Sequence, residues 1–267
     1  MDKPDPLKRN NVNVLGNREA ARTMLFVHGF GTDQSAWNNV VPAFTADYRV
    51  VLLDNVGAGT TAPEAFVQHR YLNLHRYAQD LLEVCAALDL EEIVAVGHSV
   101  GAMISLLAAI KAPGRFSRLV LIGASPRYLD TEGYRGGLAK EDIDTIYKGV
   151  LSNYDAWAET YGRAAMANAD QAEFTRHFID SLRKIPEERA LTVLCAILQS
   201  DHRDDVAKLD KPALIIQTKH DTVVPMEVAE YLHRRIKDSC LTVIDAEGHL
   251  PHISAPNLVI EAMRAFL

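Results

Sequence analysis

Residues 93–96 form an apolar run, residues 103–110 read as helix, and between them stands Gly97-His98-Ser99-Val100-Gly101. A serine flanked at two places on either side by glycine, in a strand, sharp turn and helix context, has the pattern of a nucleophile elbow. Such a turn forces the serine into a strained backbone conformation, and side chains at 97 and 101 would collide with the adjoining strand and helix. The Ser99 hydroxyl is therefore expected at the carboxyl edge of a sheet, with the positive end of a helix dipole behind it.

Around this turn, six short runs are almost continuously apolar: residues 24–27, 50–53, 93–96, 119–122, 214–216 and 241–244. Strands buried on both faces have this composition. Between them, apolar residues recur at helical spacing, as at Leu74, Tyr77, Leu81, Val84 and Leu88. The alternation predicts an α/β fold with a mostly parallel central sheet flanked by helices. It breaks between residues 139 and 198, where about four helices follow one another. Helices inserted after a strand's carboxyl end lie over the edge where open α/β sheets bind ligands, so residues 127–201 are expected to form a lid on a core of 1–126 and 202–267.

Composition narrows the class. A chain of 267 residues with 48% hydrophobic and 24% charged residues has ample material for one large core. No run approaches the roughly 18 apolar residues of a membrane span. The polar stretch 1–10 lacks the apolar segment of a secretory signal, which predicts a cytoplasmic protein. A net charge of −7 with no basic block argues against a nucleic-acid partner. Cys85, Cys195 and Cys240 are odd in number and far apart, so buried free thiols are expected in place of disulfides or a metal centre.

A serine needs a base, and the base needs a group that holds its tautomer. His249 follows the last apolar run, which puts it at the same sheet edge as Ser99, with His252 as its main rival. A metal site on those two histidines would lack nearby acidic or thiol ligands. His69, His75, His177, His202 and His233 have charged neighbours and are expected in solvent. Asp221 follows the strand at 214–217 across a short loop, again at the carboxyl edge, and gives the order serine, aspartate, histidine. Asp245 sits at the end of its own strand, whereas Asp201, Asp204 and Asp205 cluster around Arg203 in what reads as a solvated turn.

Acyl chemistry further requires two amides facing the developing oxyanion. The amide of Val100 follows the serine directly. Phe30, in the loop His28-Gly29-Phe30-Gly31 after the first strand, is placed to supply the other and to wall the pocket with its ring. The loop at 54–59 also carries glycines, Gly57 and Gly59, but no P-loop lysine and no dinucleotide fingerprint accompanies them, so no nucleotide cofactor is expected.

These segments, together with Ser125-Pro126-Arg127-Tyr128-Leu129, Asn153-Tyr154-Asp155-Ala156-Trp157-Ala158, Ser200-Asp201-His202-Arg203 and Glu247-Gly248-His249-Leu250-Pro251-His252, resemble the α/β-hydrolase superfamily and, within it, the RsbQ-like subfamily. That subfamily comprises bacterial stress-response regulators related to plant karrikin and strigolactone receptors. The resemblance implies Ser99, Asp221 and His249 as a triad, Phe30 and Val100 as the oxyanion hole, and an apolar pocket lined by Phe30, Tyr128, Trp157, Tyr161 and Leu198. It implies a PAS-domain phosphatase as partner, while the residues themselves lead to the expectation of no cofactor and no metal. The plant receptors commonly carry phenylalanine where Tyr161 and Leu198 stand.

The expected function is a serine hydrolase acting on a small hydrophobic ester or lactone. A slow-turnover ligand sensor signalling through a partner is the alternative. Cofactor-free haloperoxidase or carbon–carbon bond hydrolase chemistry stays open, since the same triad serves both.

Overall fold

The computed structural model describes residues 5–58, 61–168 and 170–267, so residues 1–4 of the polar N-terminal stretch and Gly59 of the second glycine loop lie outside it. The strands are β1 (Asn13–Gly16), β2 (Thr23–Val27), β3 (Arg49–Leu53), β4 (Ile93–His98), β5 (Phe116–Ile122), β6 (Ala213–His220) and β7 (Ser239–Glu247). The helices are α1 (Pro6–Arg9), α2 (Leu74–Ala87), α3 (Val100–Lys111), α4 (Lys140–Ser152), α5 (Tyr154–Met166), α6 (Ala172–Arg183), α7 (Glu187–Leu198), α8 (Arg203–Val206), α9 (Met226–Arg235), α10 (Pro251–Ser254) and α11 (Pro256–Phe266).

The strands make one sheet in the order β1-β3-β2-β4-β5-β6-β7. All neighbours are parallel except β1 and β3. Side chains on a strand point alternately to its two faces, and here both faces are buried. Leu25, Val27, Val51, Leu53, Ala95, Leu119 and Leu121 join one core layer. Met24, Phe26, Val50, Leu52, Val94, Val96, Val120 and Ile122 join the other, with Trp37 and α11. Each fully buried leucine, valine or phenylalanine contributes roughly 1.5–3 kcal/mol of transfer free energy, which explains why these runs lack polar alternation.

Several boundaries differ from the sequence reading. β1 escaped it: an exposed antiparallel edge strand has no continuous apolar run to reveal it. β6 extends to His220, so Asp221 follows its strand directly without an intervening loop. β7 extends to Glu247, leaving Asp245 inside the strand and paired with Lys219 at 2.8 Å. Of the cysteines, Cys85 is buried, Cys195 half-buried and Cys240 exposed, because Cys240 lies at the outer end of an edge strand.

The four helices α4 to α7 stand between β5 and β6. Asn153 separates the first two, its side chain accepting the Ala156 amide at 3.0 Å to cap α5. Apolar residues of α5 and α6, including Ala165, Met166, Phe178 and Leu182, pack on Leu250 and Ile253 of the core. Where the chain leaves for these helices and returns, the His202 amide donates to the Pro126 carbonyl at 2.8 Å. Asp201 pairs there with Arg127 and Arg203, and hydrogen bonding from Arg203 is the main reason its pKa falls to about 2. Asp201 and Asp204 of this turn are exposed as expected, but the turn is stapled by these pairs and His202, expected in solvent, is buried within it.

Candidate active site

Ser99 stands between β4 and α3 as the N-cap of α3, with φ 53° and ψ −123°, a conformation that costs an ordinary residue on the order of 1–3 kcal/mol. The two glycines are required sterically. A Cβ on Gly97 would lie 2.4 Å from the Ala102 Cα, and one on Gly101 would lie 2.3 Å and 2.4 Å from the carbonyl oxygens of Val27 and His28. Neighbouring backbone cannot yield as a flexible side chain can, so only glycine permits α3 to start against β2. The turn is anchored by the Ser99 amide, which donates to the Ile122 carbonyl at 2.8 Å.

His249 and Asp221 meet at the same edge. Nδ1 of His249 is 2.8 Å from Oδ2 of Asp221, and the two side chains are 3% and 2% exposed. Oδ1 of Asp221 accepts the amides of Val223 and Val224 at 2.8 and 3.0 Å. Burial works to raise the Asp221 pKa, but His249 and these amides outweigh it and hold the carboxylate below its usual range. An ionised carboxylate only accepts, so Nδ1 carries the imidazole proton and Nε2 presents its lone pair. Nε2 is buried and makes no hydrogen bond among the described residues. The ring lies against Gly123, where an added Cβ would be 3.1 Å from its Cε1, directly after the Ile122 that holds the Ser99 amide. The Ser99 hydroxyl itself contacts the Tyr128 hydroxyl at 3.4 Å, and no hydrogen bond to His249 is formed.

The end of α5 holds both loops. The last carbonyls of a helix have no partner inside it. That of Ala164 accepts the Thr222 hydroxyl, and that of Ala165 accepts the His249 amide, each at 2.7 Å. Helices outside the sheet thus fix the position of Asp221 and His249.

The amides of Phe30 and Val100 donate no hydrogen bond among the described residues. His28 orders the Phe30 loop: its Nδ1 donates to the Gly29 carbonyl at 2.8 Å, and its Nε2 accepts the Asn55 amide at 2.9 Å. The His98 ring packs against Gly29, where an added Cβ would lie 2.5 Å from its Nδ1, and donates from Nε2 to the His249 carbonyl at 2.8 Å. His252 is fully buried between the rings of Trp37 and His98, at 4.5 and 4.3 Å, with neither nitrogen hydrogen-bonded among the described residues. Burial pushes the pKa of His98 well down and that of His252 down to about 3.

Ser99 opens into a cavity of about 150 Å³ together with Phe30, Tyr128, Trp157, Tyr161 and Leu198. Trp157 stacks on Tyr161 with ring centroids 5.1 Å apart and planes 4° from parallel. Burial raises the Tyr128 hydroxyl to about 12, so it is a neutral donor. Leu138, Ile146, Ala164, Leu194, Ile197, Thr222 and Val223 complete the wall. Leu194 and Leu198 share one stripe of α7 at helical spacing, a signal that marks an apolar face without revealing whether it meets core or cavity. Among the described residues, no charged side chain lines this space.

The fold and this edge define a hydrolase-type α/β protein. Residues 22–256 match the family described as alpha/beta hydrolase fold, and the chain belongs to that family. It is 40% identical over 255 residues to a karrikin insensitive 2 receptor of Petunia hybrida, covering 95% of this chain and 94% of the relative. It is 38% identical over 268 residues to a strigolactone esterase of Arabidopsis thaliana, covering 100% and 99%. Among solved structures, a hydrolase from Oleispira antarctica superposes with a TM-score of 0.94 at 32% identity, covering 100% of this chain and 97% of that one. No described helix is long and apolar enough to cross a membrane.

Proposed function

We propose that this protein is a serine hydrolase of small, uncharged esters or lactones, on the strength above all of the Asp221-His249 pair beside the strained Ser99. Nε2 of His249 takes the Ser99 proton as Oγ attacks the carbonyl carbon. The oxyanion that forms is held by the amides of Phe30 and Val100. Collapse of the adduct breaks the bond to the alcohol oxygen, which receives the proton from His249, and leaves an acyl group on Ser99. Water then loses a proton to the same nitrogen and attacks the ester, and Ser99 departs with that proton. The helical segment 127–201 serves as a lid over the core of 1–126 and 202–267, excluding water from the cavity.

Relatives named both esterase and receptor support a second reading on the same site, in which slow turnover reports a ligand to a partner. In a cytoplasmic RsbQ-like protein that partner is a PAS-domain phosphatase.

The test is selectivity between a neutral short-chain aryl ester and its carboxylate-bearing analogue. A carboxylate desolvated against Trp157 and Phe30 without a cationic partner costs several kcal/mol, so the neutral ester is expected to turn over at least 100-fold faster. Equal or faster turnover of the anionic ester would show that this account of the cavity is wrong.

A further inference from the structure

At the other end of the lid stem, His75, His202 and Asp205 bring one ligand atom each within 4.8 Å of one another. We propose that these three residues form a divalent transition-metal site joining the lid stem to the core helix α2.

The positions come from three fixed pieces of backbone. His75 is the second residue of α2. His202 caps α8 and is tied through its amide to Pro126, and Asp205 follows three residues later on the same face of that helical turn. Nδ1 of His202 and Oδ2 of Asp205 are 2.9 Å apart. Metal–ligand bonds of 2.0–2.1 Å in a tetrahedron place neighbouring ligand atoms roughly 3.3 Å apart, so this edge of the site is close to its final length. The His75 ring meets the His202 ring edge to face at 5.4 Å. Because His75 is exposed, its side chain is free to swing inward by the remaining one to two ångströms, roughly the excess over that edge length.

Two of the three groups have spare coordinating capacity. Neither nitrogen of His75, nor Nε2 of His202, makes a hydrogen bond among the described residues. When a cation enters at Nδ1 of His202, the proton there shifts to Nε2 and the imidazole stays neutral. Lys208 binds the other carboxylate oxygen of Asp205 at 2.8 Å, which leaves Oδ2 available and removes part of the negative charge. Two imidazoles and one carboxylate suit Zn2+, Ni2+, Cu2+ or Co2+, whereas Mg2+ and Ca2+ prefer oxygen donors throughout. Water fills the fourth position. The site lies outside the Ser99 cavity and does not depend on the hydrolase reading.

The experiment is calorimetric titration of ZnCl2 into the chelator-treated full-length protein, with Co2+ absorption as a second readout of the ligand field. The wild type is expected to bind one equivalent, rise in thermal midpoint, and give the visible bands of a low-coordinate Co2+ complex. The exposed position of His75 lets His75→Ala fold normally, and both it and Asp205→Asn are expected to weaken Zn2+ binding by about tenfold or more. Unchanged affinity in His75→Ala would place any bound zinc elsewhere, for instance on the buried histidines near Ser99, and overturn the proposal. Absence of binding by the wild type at millimolar Zn2+ would overturn it equally.

Discussion

Nδ1 of His249 stands 2.8 Å from Oδ2 of Asp221 although 28 residues separate them, because β6 and β7 are parallel neighbours whose chains emerge at one edge. The carboxylate fixes which nitrogen of the imidazole faces Ser99. Asp221→Asn would replace an acceptor with an amide able to donate, favouring the wrong tautomer while conserving shape. Acylation is expected to fall by about 10⁴-fold with the fold retained, measured by pre-steady-state release of the aryl alcohol. A loss under tenfold would mean that Asp221 does not orient the base.

The buried histidines predict acid sensitivity of a definite sign. His252 has a folded pKa of about 3 against 6.5 when unfolded. Between those values the unfolded chain binds a proton that the folded chain refuses, so stability is present above pH 6.5 and is lost as pH falls toward 3. His98 acts in the same direction. In His252→Leu the slope of stability against pH in this window should fall by up to about 1.4 kcal/mol per pH unit, the contribution of one proton. Since neither ring nitrogen is hydrogen-bonded among the described residues, the substitution orphans no partner. Denaturant titrations at several pH values would reveal the change, and an unaltered slope would show that His252 is not the group refusing the proton.

At the elbow, Gly101→Ala introduces a Cβ 2.3 Å from a backbone oxygen of β2. Overpacking against backbone should destabilise the protein by about 2 kcal/mol or more, and displacement of the Val100 amide should lower kcat by at least tenfold. Thermal unfolding and steady-state hydrolysis together check this. A variant with wild-type stability and activity would show that α3 can retreat from the strand.

Much of this architecture is legible in the sequence because parallel strands buried on both faces produce apolar runs, as at Leu119 to Ile122, and because the glycines at 97 and 101 have no steric substitute. Asp221 and His249 are recoverable from their places after two such runs. β1 is not, since an exposed edge leaves no periodic trace. His202 reads as solvent-facing from its charged neighbours, yet it is buried. Those same neighbours, Arg203 and Asp205 among them, are partners that order the stem. Thr222 and the carbonyls of Ala164 and Ala165 gave no signal either, because a helix end that accepts hydrogen bonds from a distant loop depends on tertiary position and not on residue type.

The central claim is that Ser99 is the nucleophile, and mass spectrometry of the intact protein after exposure to a serine-directed fluorophosphonate tests it most directly. The wild type is expected to gain one adduct, mapped by proteolysis to the peptide carrying Ser99. Ser99→Ala is expected to stay folded, remain unlabelled and lose ester hydrolysis. An adduct persisting on Ser99→Ala, or one mapped to another residue in the wild type, would contradict the account.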